Sequence, residues 1–297
     1  MSFLSKPESV ERFQSYLDMI EPALENCLVN EDTELQTVAD AMRYSTMIGG
    51  KRIRPVLVLE FARICGASPN EALPFACALE MIHTSSLIHD DMPCMDNDDL
   101  RRGKPSCHKK YGENFALLAG DALMAEAFST AASAELEADR KAACIKCLAD
   151  STGIYGMLGG QNMDEINETV PADAERLTRT DARKTGALIR CACEMGCLAA
   201  GTDEETVKAA ADYGMALGIA FQICDDILDV TGDAQLLGKT IGSDEESNKS
   251  TYVSLLGIDE ARRRADFYTK KAAAALEKFQ DTDFLKDFTA GLLNRDY

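Results

Sequence analysis

The chain has 297 residues, of which 50 are acidic and 31 are basic, so its formal net charge is −19. Such a surface repels nucleic acid and anionic membranes at long range, and we expect neither as a partner. Apolar residues make up 46% of the chain and no Pro-, Ser- or Gly-rich linker divides it, which predicts a single domain over residues 1–297.

The N-terminal segment MSFLSKPESVERFQSYL lacks the basic start and apolar run of a secretory signal. No apolar stretch approaches the roughly 18 residues that a membrane span needs. We therefore expect a cytoplasmic protein without a membrane span.

Helical periodicity dominates the sequence. Apolar residues recur three and four apart in VERFQSYLDMIEPALENCL, LPFACALEMIHTSSLIHD, NFALLAGDALMAEAFSTAASAE and TVKAAADYGMALGIAFQICDDIL. Alternating strand patterns and Asn-Gly hairpin signals are missing. The pattern predicts an all-α bundle of about ten or more helices with short connections. Breaks are expected at Gly49-Gly50, Pro93, Gly103–Pro105, Gly159-Gly160, Pro171 and Gly232 to Ser250.

Eleven cysteines are scattered through Ala-rich stretches such as RKAACIKCLAD and IRCACEMGCLAA. The pairs Cys144/Cys147 and Cys193/Cys197 invite a zinc interpretation, but no second pair of thiols or histidines at finger spacing accompanies them. We interpret the cysteines as small apolar side chains of helices in a reducing cytoplasm.

A first cluster of acids follows an apolar helix in LIHDDMPCMDNDDLRRG. Asp90, Asp91 and Asp96 lie close together, and Arg101 and Arg102 come directly behind them. Adjacent carboxylates repel unless a cation neutralises them, and hard oxygen ligands suit Mg²⁺. Arginine supplies a two-pronged grip on phosphate oxygens. A solvated acidic loop is the alternative, whereas an EF-hand calcium loop fails because Arg101 occupies the position that requires Gly.

A second cluster, FQICDDILDVTGD, argues against the solvated loop. Asp225 and Asp229 are four apart on an apolar helix, so they share one face, and Asp226 flanks them. Such a face has little reason to carry three carboxylates unless they bind something. Basic residues that could bind an anion occur in GGKRIRP, RKTGALI and GKTIG.

Together these segments resemble the trans-isoprenyl diphosphate synthase family, the farnesyl and geranylgeranyl diphosphate synthases. The resemblance runs through GGKRIRP, DDMPCMD with RRG, GDALMAEAF, GGQNMD, KTGALI, FQICDDILD and GKTIGSDEESNKSTY in family order. It implies an isoprenoid synthase-type helical bundle around a central cavity, usually a homodimer. It implies transfer of an allylic diphosphate (dimethylallyl, geranyl or farnesyl) to isopentenyl diphosphate by Mg²⁺-assisted ionisation, condensation and proton elimination.

The resemblance also implies residue roles, which stay expectations at this point. Three Mg²⁺ ions would be held, with substrate bound, by Asp90, Asp91, Asp96, Asp225, Asp226 and Asp229. The allylic diphosphate would be held by Arg101, Lys184, Thr185, Gln222 and Lys239, with Lys249 as a further cation. Isopentenyl diphosphate would be held by Lys51, Arg54, His83 and Arg102. The expected catalytic set is Asp90, Asp91, Asp96, Arg101, Lys184, Asp225 and Lys239.

Product length depends, in enzymes that this chain resembles, on the residues four and five before the first aspartate motif. These are Ser86 and Ser85 here, with Met81 one turn deeper. Similar bacterial enzymes that stop at C15 typically carry Tyr at the position of Ser85. The small side chain favours a C20 product, and C15 is the close alternative.

Two other function classes remain as rivals. A terpene cyclase would not need the isopentenyl diphosphate site that Lys51, Arg54 and His83 imply, and it usually pairs one aspartate motif with a different metal motif. A non-catalytic partner subunit typically loses aspartates from a motif, whereas both motifs are intact here.

Overall fold

The computed structural model describes residues 3–170, 172–231 and 250–293. Within these ranges the chain is almost entirely helical, so the prediction of an all-α bundle is confirmed. Helices α1 to α4 are Pro7–Cys27, Gln36–Met47, Ile53–Ile64 and Pro69–Asp90. Helices α5 to α9 are Cys107–Tyr111, Glu113–Ala132, Ala138–Thr152, Met157–Thr169 and Ala174–Asp181. Helices α10 to α14 are Ala187–Ala200, Glu204–Thr231, Tyr252–Leu256, Ile258–Ala275 and Asp283–Leu293.

Helix α4 lies at the centre of the bundle. It begins at a capping box in which the side chain of Ser68 and that of Glu71 each bind the backbone N–H at the other's position. It packs against α1, α3, α6 and α10, and its apolar residues are buried on more than one face. Its C-terminal end therefore emerges from the core directly into the first aspartate motif.

Two glycines allow helices to approach until their backbones touch. A Cβ atom at Gly196 of α10 would lie 2.6 Å from the carbonyl oxygen of Val58 and 2.8 Å from the amide nitrogen of Ala62, both on α3. A Cβ atom at Gly160 of α8 would lie 2.1 Å from the amide nitrogen of Lys184. Any larger side chain at either position would force the paired segments apart.

The expected break at Gly159-Gly160 is wrong. Both glycines lie inside α8, where they are buried against neighbouring backbone rather than ending the helix. Pro171, another expected break, lies outside the described residues. Glycine costs helix stability through entropy, but here close packing requires it.

A short β-hairpin is the one strand pairing in the described part of the chain, and the sequence did not predict it. Strands β1 (Leu100–Arg101) and β2 (Lys104–Pro105) pair antiparallel. Arg102 and Gly103 form the turn with φ of 54° and 75°, the left-handed conformation that two-residue hairpins require. The expected break at Gly103–Pro105 is therefore this hairpin. Arg101 lies in its first strand and Arg102 in its turn, so the two side chains point in different directions.

Candidate active site

The first aspartate motif curls back on the end of α4. The backbone N–H of Asp96 donates to the carbonyl of Asp90 over 2.9 Å, which brings the two residues together. Burial raises the pKa of Asp90 to about 6, and the neighbouring charge of Asp96 adds to the effect while Lys184 opposes it. Two carboxylates in this position are stabilised by a cation between or beside them.

Asp91 has a different environment from Asp90. Its side chain is only 2% exposed, and Arg101 Nε donates to both carboxylate oxygens over 3.0 and 3.2 Å. Arg101 also reaches Asp98 Oδ2 at 3.3 Å. Asp91 thus holds the guanidinium of Arg101 at the edge of the motif.

Lys184 lies in a single π-helical turn, Ala182–Gly186, between α9 and α10. Its Nζ donates to Asp164 Oδ2 over 2.5 Å. Burial alone would lower the pKa of Lys184, but Asp164, Asp90 and Asp96 together raise it, so the side chain is a cation within reach of the first motif. Single π turns are frequent at functional sites.

The second aspartate motif lies on α11. Asp226 is 5% exposed and accepts two hydrogen bonds, from Gln222 Nε2 over 3.2 Å and from the backbone N–H of Tyr252 over 2.9 Å. Thr185 Oγ1 donates to Gln222 Oε1 over 3.3 Å. Asp225 and Asp229 are half-buried on the same stripe of α11. The structure therefore brings Lys184, Thr185 and Gln222 close to this motif.

A cavity of about 150 Å³ separates these groups. Lys184, Gln222 and Asp226 line it, together with Asp164 and Asp181, to which the sequence reasoning gave no role. The GGQNMD segment was the signal that could have identified Asp164. Nothing in the sequence marked Asp181, whose pKa is raised well above its usual range by burial and by Asp226.

A second set of basic groups gathers around His83, two turns before Asp90 on α4. Arg54 is half-buried and its Nε has no hydrogen-bond partner among the described residues, while burial and the nearby Arg102 lower its pKa to about 10. Burial, Arg54 and Arg102 lower the pKa of His83 well below its ordinary value. The guanidinium of Arg102 packs against Gly50, where a Cβ atom would lie 2.6 Å from Nη1. Like charges held together around a buried, unsatisfied donor suit an anion with several oxygens.

The neighbouring cation of GGKRIRP has a structural role instead. Arg52 is 2% exposed and donates to Glu80 Oε1 over 2.9 Å, to Glu21 Oε1 over 2.8 Å and to the carbonyl of Thr46 over 2.9 Å. Lys51 is exposed at the entrance to this segment. Of the three basic residues, Arg52 is thus bound within the core, Lys51 is exposed, and Arg54 is half-buried with a buried Nε that has no hydrogen-bond partner among the described residues.

The expected chain-length residues follow one another down α4. Ser85 is fully buried and its Oγ has no hydrogen-bond partner in the described ranges. Ser86 Oγ donates to the carbonyl of His83 over 2.9 Å. Met81 is fully buried, and its Sδ lies 3.9 Å from Thr130 Oγ1 on α6.

The donor set fits Mg²⁺ that is shared with a substrate. Within residues 3–170, 172–231 and 250–293 no three His, Cys, Asp or Glu side chains converge as in a complete protein-only metal site. Magnesium is commonly held by one or two carboxylates plus phosphate oxygens and water, and Asp90 with Asp96 provides such a pair. Lys239 and Lys249 lie outside the described residues.

Comparison with known proteins identifies the family. The model of the polyprenyl synthetase family matches residues 35–286. The chloroplastic geranylgeranyl pyrophosphate synthase of Catharanthus roseus is 41% identical over 276 residues, 90% of this chain and 76% of that protein. The farnesyl diphosphate synthase of Escherichia coli K12 is 45% identical over 250 residues, 82% of this chain and 83% of that protein. The apo structure of an FPP/GFPP synthase from Zymomonas mobilis superposes with a TM-score of 0.87 at 35% identity, covering 96% of this chain and 99% of that one. The chain belongs to the polyprenyl synthetase family of prenyltransferases.

Proposed function

We propose that this prenyltransferase condenses isopentenyl diphosphate with dimethylallyl, geranyl and farnesyl diphosphate, and that its product reaches C20. The observation that carries the proposal is the pair of anion sites, one at the aspartate motif that follows α4 and one around His83, two turns earlier on the same helix. One combines Arg101 and Lys184 with aspartates, and the other combines Arg54, Arg102 and a neutral His83 without them. The reaction brings two diphosphate substrates together, and only one of them loses its diphosphate. The two substrates therefore need two sites of different composition.

The chain's own residues divide the work between the two substrates. Arg101 and Lys184 would bind the allylic diphosphate, and Thr185 Oγ1 and the Gln222 amide would lie near the carbon that becomes positive. Arg54, Arg102, Lys51 and His83 would hold isopentenyl diphosphate so that its double bond faces that carbon. Breaking the allylic C–O bond, bond formation to the new carbon and loss of a proton then give the longer alkene.

Asp90, Asp96, Asp225 and Asp229 would hold the magnesium ions, for which three is the expected number. When bound, Mg²⁺ would neutralise charge on the leaving diphosphate. Asp91 and Asp226 were expected to be ligands as well. Because both are buried and occupied by protein donors, we propose instead that they position Arg101 and Tyr252.

The C20 product is proposed from the small side chain of Ser85, and C15 remains the alternative. Relatives with both product names, geranylgeranyl and farnesyl, resemble the chain at similar identity, so similarity alone favours neither. Ser85 is fully buried and its Oγ has no hydrogen-bond partner among the described residues, so the proposal rests on the small size of its side chain.

We further propose a homodimer formed through α6. In the described part of the chain, α6 is the one helix long and apolar enough to cross a membrane, judged by length and composition alone. It packs on α2, α4, α5 and α7, yet its Leu117 and Leu118 are 48% and 51% exposed. Apolar surface of this kind is expected to be covered by a partner. Cytoplasmic location stays a prediction, because the relatives include chloroplastic enzymes.

A single domain over residues 1–297 is also proposed. It is supported by contacts between helices near the two ends of the chain, where the rings of Phe3 and Phe13 pack against Phe288 with centroids 5.7 and 6.1 Å apart.

The first experiment is product analysis with purified protein, Mg²⁺, isopentenyl diphosphate and each of the three allylic diphosphates. A C20 product is expected. If the product stops at C15 and farnesyl diphosphate is not accepted, prenyl transfer is supported but the proposed C20 pocket at Ser85 is contradicted. Absence of any turnover would favour a non-catalytic partner subunit.

Matched variants assign the site. Asp90→Ala and Asp225→Ala should abolish turnover, whereas Asp212→Ala, on the exposed part of α11 beside Lys208, should leave it unchanged.

For the dimer, Leu118→Glu should give monomers in light scattering. Phe267→Glu, which changes an equally exposed apolar residue on α13, should not. Equal loss in each control pair would contradict these assignments.

A further inference from the structure

Six of the eleven cysteines approach one another across helix boundaries. Cys65 Sγ, just after α3, lies 3.4 Å from Cys197 Sγ on α10. Cys147 Sγ on α7 lies 3.7 Å from Cys191 Sγ on α10. Cys27, at the end of α1, shares a hydrogen bond with Cys77 on α4. All three pairs are reduced thiols here, and neither the proposed reaction nor helix formation accounts for their pairing.

The approach of Cys65 to Cys197 follows from how α3 and α10 pack. Gly196, next to Cys197, allows the two backbones to touch at Val58 and Ala62, three residues before Cys65. Because backbone contact sets the separation, the thiols are held together by the fold and not by a chance rotamer. Disulfide formation needs such a short separation between the two main chains.

The two pairs on α10 differ in reactivity. Cys65 is half-exposed, and its hydrogen bond with Cys197 lowers its pKa, although burial and Asp203 oppose the shift. Cys147 is also half-exposed, but its hydrogen bond with Cys191, its burial and the carboxylate of Glu194 raise its pKa far above the ordinary value. Since the thiolate is the nucleophile, Cys65 is more reactive than Cys147, and its sulfur lies closer to that of its partner. The hydrogen bond with Cys77 lowers the pKa of Cys27 to about 7, so that pair is the competing site.

We propose that Cys65 and Cys197 form a modification site, a dithiol that closes to a disulfide when hydrogen peroxide reaches Cys65. The Cys65 thiolate attacks one oxygen of the peroxide, the O–O bond breaks, and a sulfenic acid and hydroxide form. The Cys197 sulfur then attacks the sulfenic sulfur and displaces hydroxide, which takes up a proton as water. Two thiols and one peroxide thus give one disulfide and two waters. Cellular thiols reopen it.

The consequence is a stability change with little effect on the reaction. The bond joins positions 132 residues apart, so it restricts the unfolded chain strongly. Cys65 lies about 16 Å along α3 from Arg54, at the end of the helix away from the site. We therefore expect the oxidised protein to unfold at a temperature about 5 °C higher, with prenyl transfer retained.

Peroxide treatment of the dilute full-length protein, followed by thiol blocking and non-reducing peptide mapping, tests the site. A peptide pair linking Cys65 to Cys197, about 2 Da lighter than the two thiol peptides together, is expected. The rise in unfolding temperature should vanish in Cys65→Ser and on adding dithiothreitol, and should persist in the matched Cys147→Ser protein. Cross-links confined to Cys27–Cys77 or Cys147–Cys191, or Cys65 found only as sulfinic acid, would overturn the proposal.

Discussion

Tyrosine in place of Ser85 is expected to shorten the product by one isoprene unit. Ser85 is fully buried on α4, and Met81 lies one turn deeper. An isoprene unit extends about 5 Å, close to the roughly 5.4 Å rise of a helical turn, so a ring at Ser85 ends the pocket about one unit earlier than Met81 would. The predicted change is therefore from C20 to C15.

The assay compares the products of wild type, Ser85→Tyr and Ser85→Ala from geranyl diphosphate, isopentenyl diphosphate and Mg²⁺. Ser85→Ala removes the unsatisfied hydroxyl without adding volume, so it should keep the wild-type length. If the ring found no free space, overpacking would cost about 1–3 kcal/mol and lower the unfolding temperature by several degrees. A folded Ser85→Tyr protein with an unchanged product distribution would refute the reasoning, because the floor would then lie elsewhere.

Three further predictions concern buried carboxylates. Glu80→Gln should lower stability by about 2–3 kcal/mol in denaturant unfolding, below the roughly 3–5 kcal/mol of a fully broken buried pair, because Arg52 keeps its other acceptors. Wild-type stability would contradict this. Asp91→Asn should reduce kcat/KM for the allylic substrate at least about tenfold by releasing Arg101, with a smaller effect on the KM for isopentenyl diphosphate. Equal effects on both substrates would argue for a general structural role. Burial would raise the pKa of Asp287, but its hydrogen bonds with Ser5 and with the backbone of Lys6 lower it. Its contribution to the free energy of unfolding is therefore present above its ordinary pKa of 3.8 and is lost as the pH falls through the lower pKa of the folded state. Asp287→Asn should thus unfold at a lower temperature than wild type at pH 6, and the gap should narrow only below pH 3.8; a gap independent of pH would be evidence against the linkage.

The sequence was sufficient for what depends on local pattern. Apolar spacing predicted the helices. The motifs predicted one site for Lys184, Thr185, Gln222 and Asp226, and the structure places Thr185, Gln222 and Asp226 in one chain of hydrogen bonds. Roles in catalysis and metal binding stay predictions. Local pattern is informative here because each motif lies at the end or on one face of a single helix.

The features that the sequence did not predict depend on contacts between residues that are distant in the chain. Arg52 and Arg54 look alike in GGKRIRP, yet Glu21 and Glu80 bind the first, whereas the Nε of the second has no hydrogen-bond partner among the described residues. Gly159-Gly160 looked like a break because the backbone of Lys184, against which Gly160 packs, is more than twenty residues away. Such pairings are set by how helices dock and have no signal within one segment.

The single π turn at Ala182–Gly186 limits how this part of the chain can change in length. A π turn accommodates one residue more than an α turn, so it is equivalent to an insertion within a continuous helix. Because the π turn already absorbs that residue, deleting Ala182 would restore uniform α geometry, keep α9 and α10 nearly in phase and remove the bulge in which Lys184 lies. Lys184 would then lose the position from which it donates to Asp164, whereas the face of α10 that packs on α3 would keep its partners. The number of residues between α9 and α10 therefore determines where Lys184 and Thr185 lie relative to the cavity.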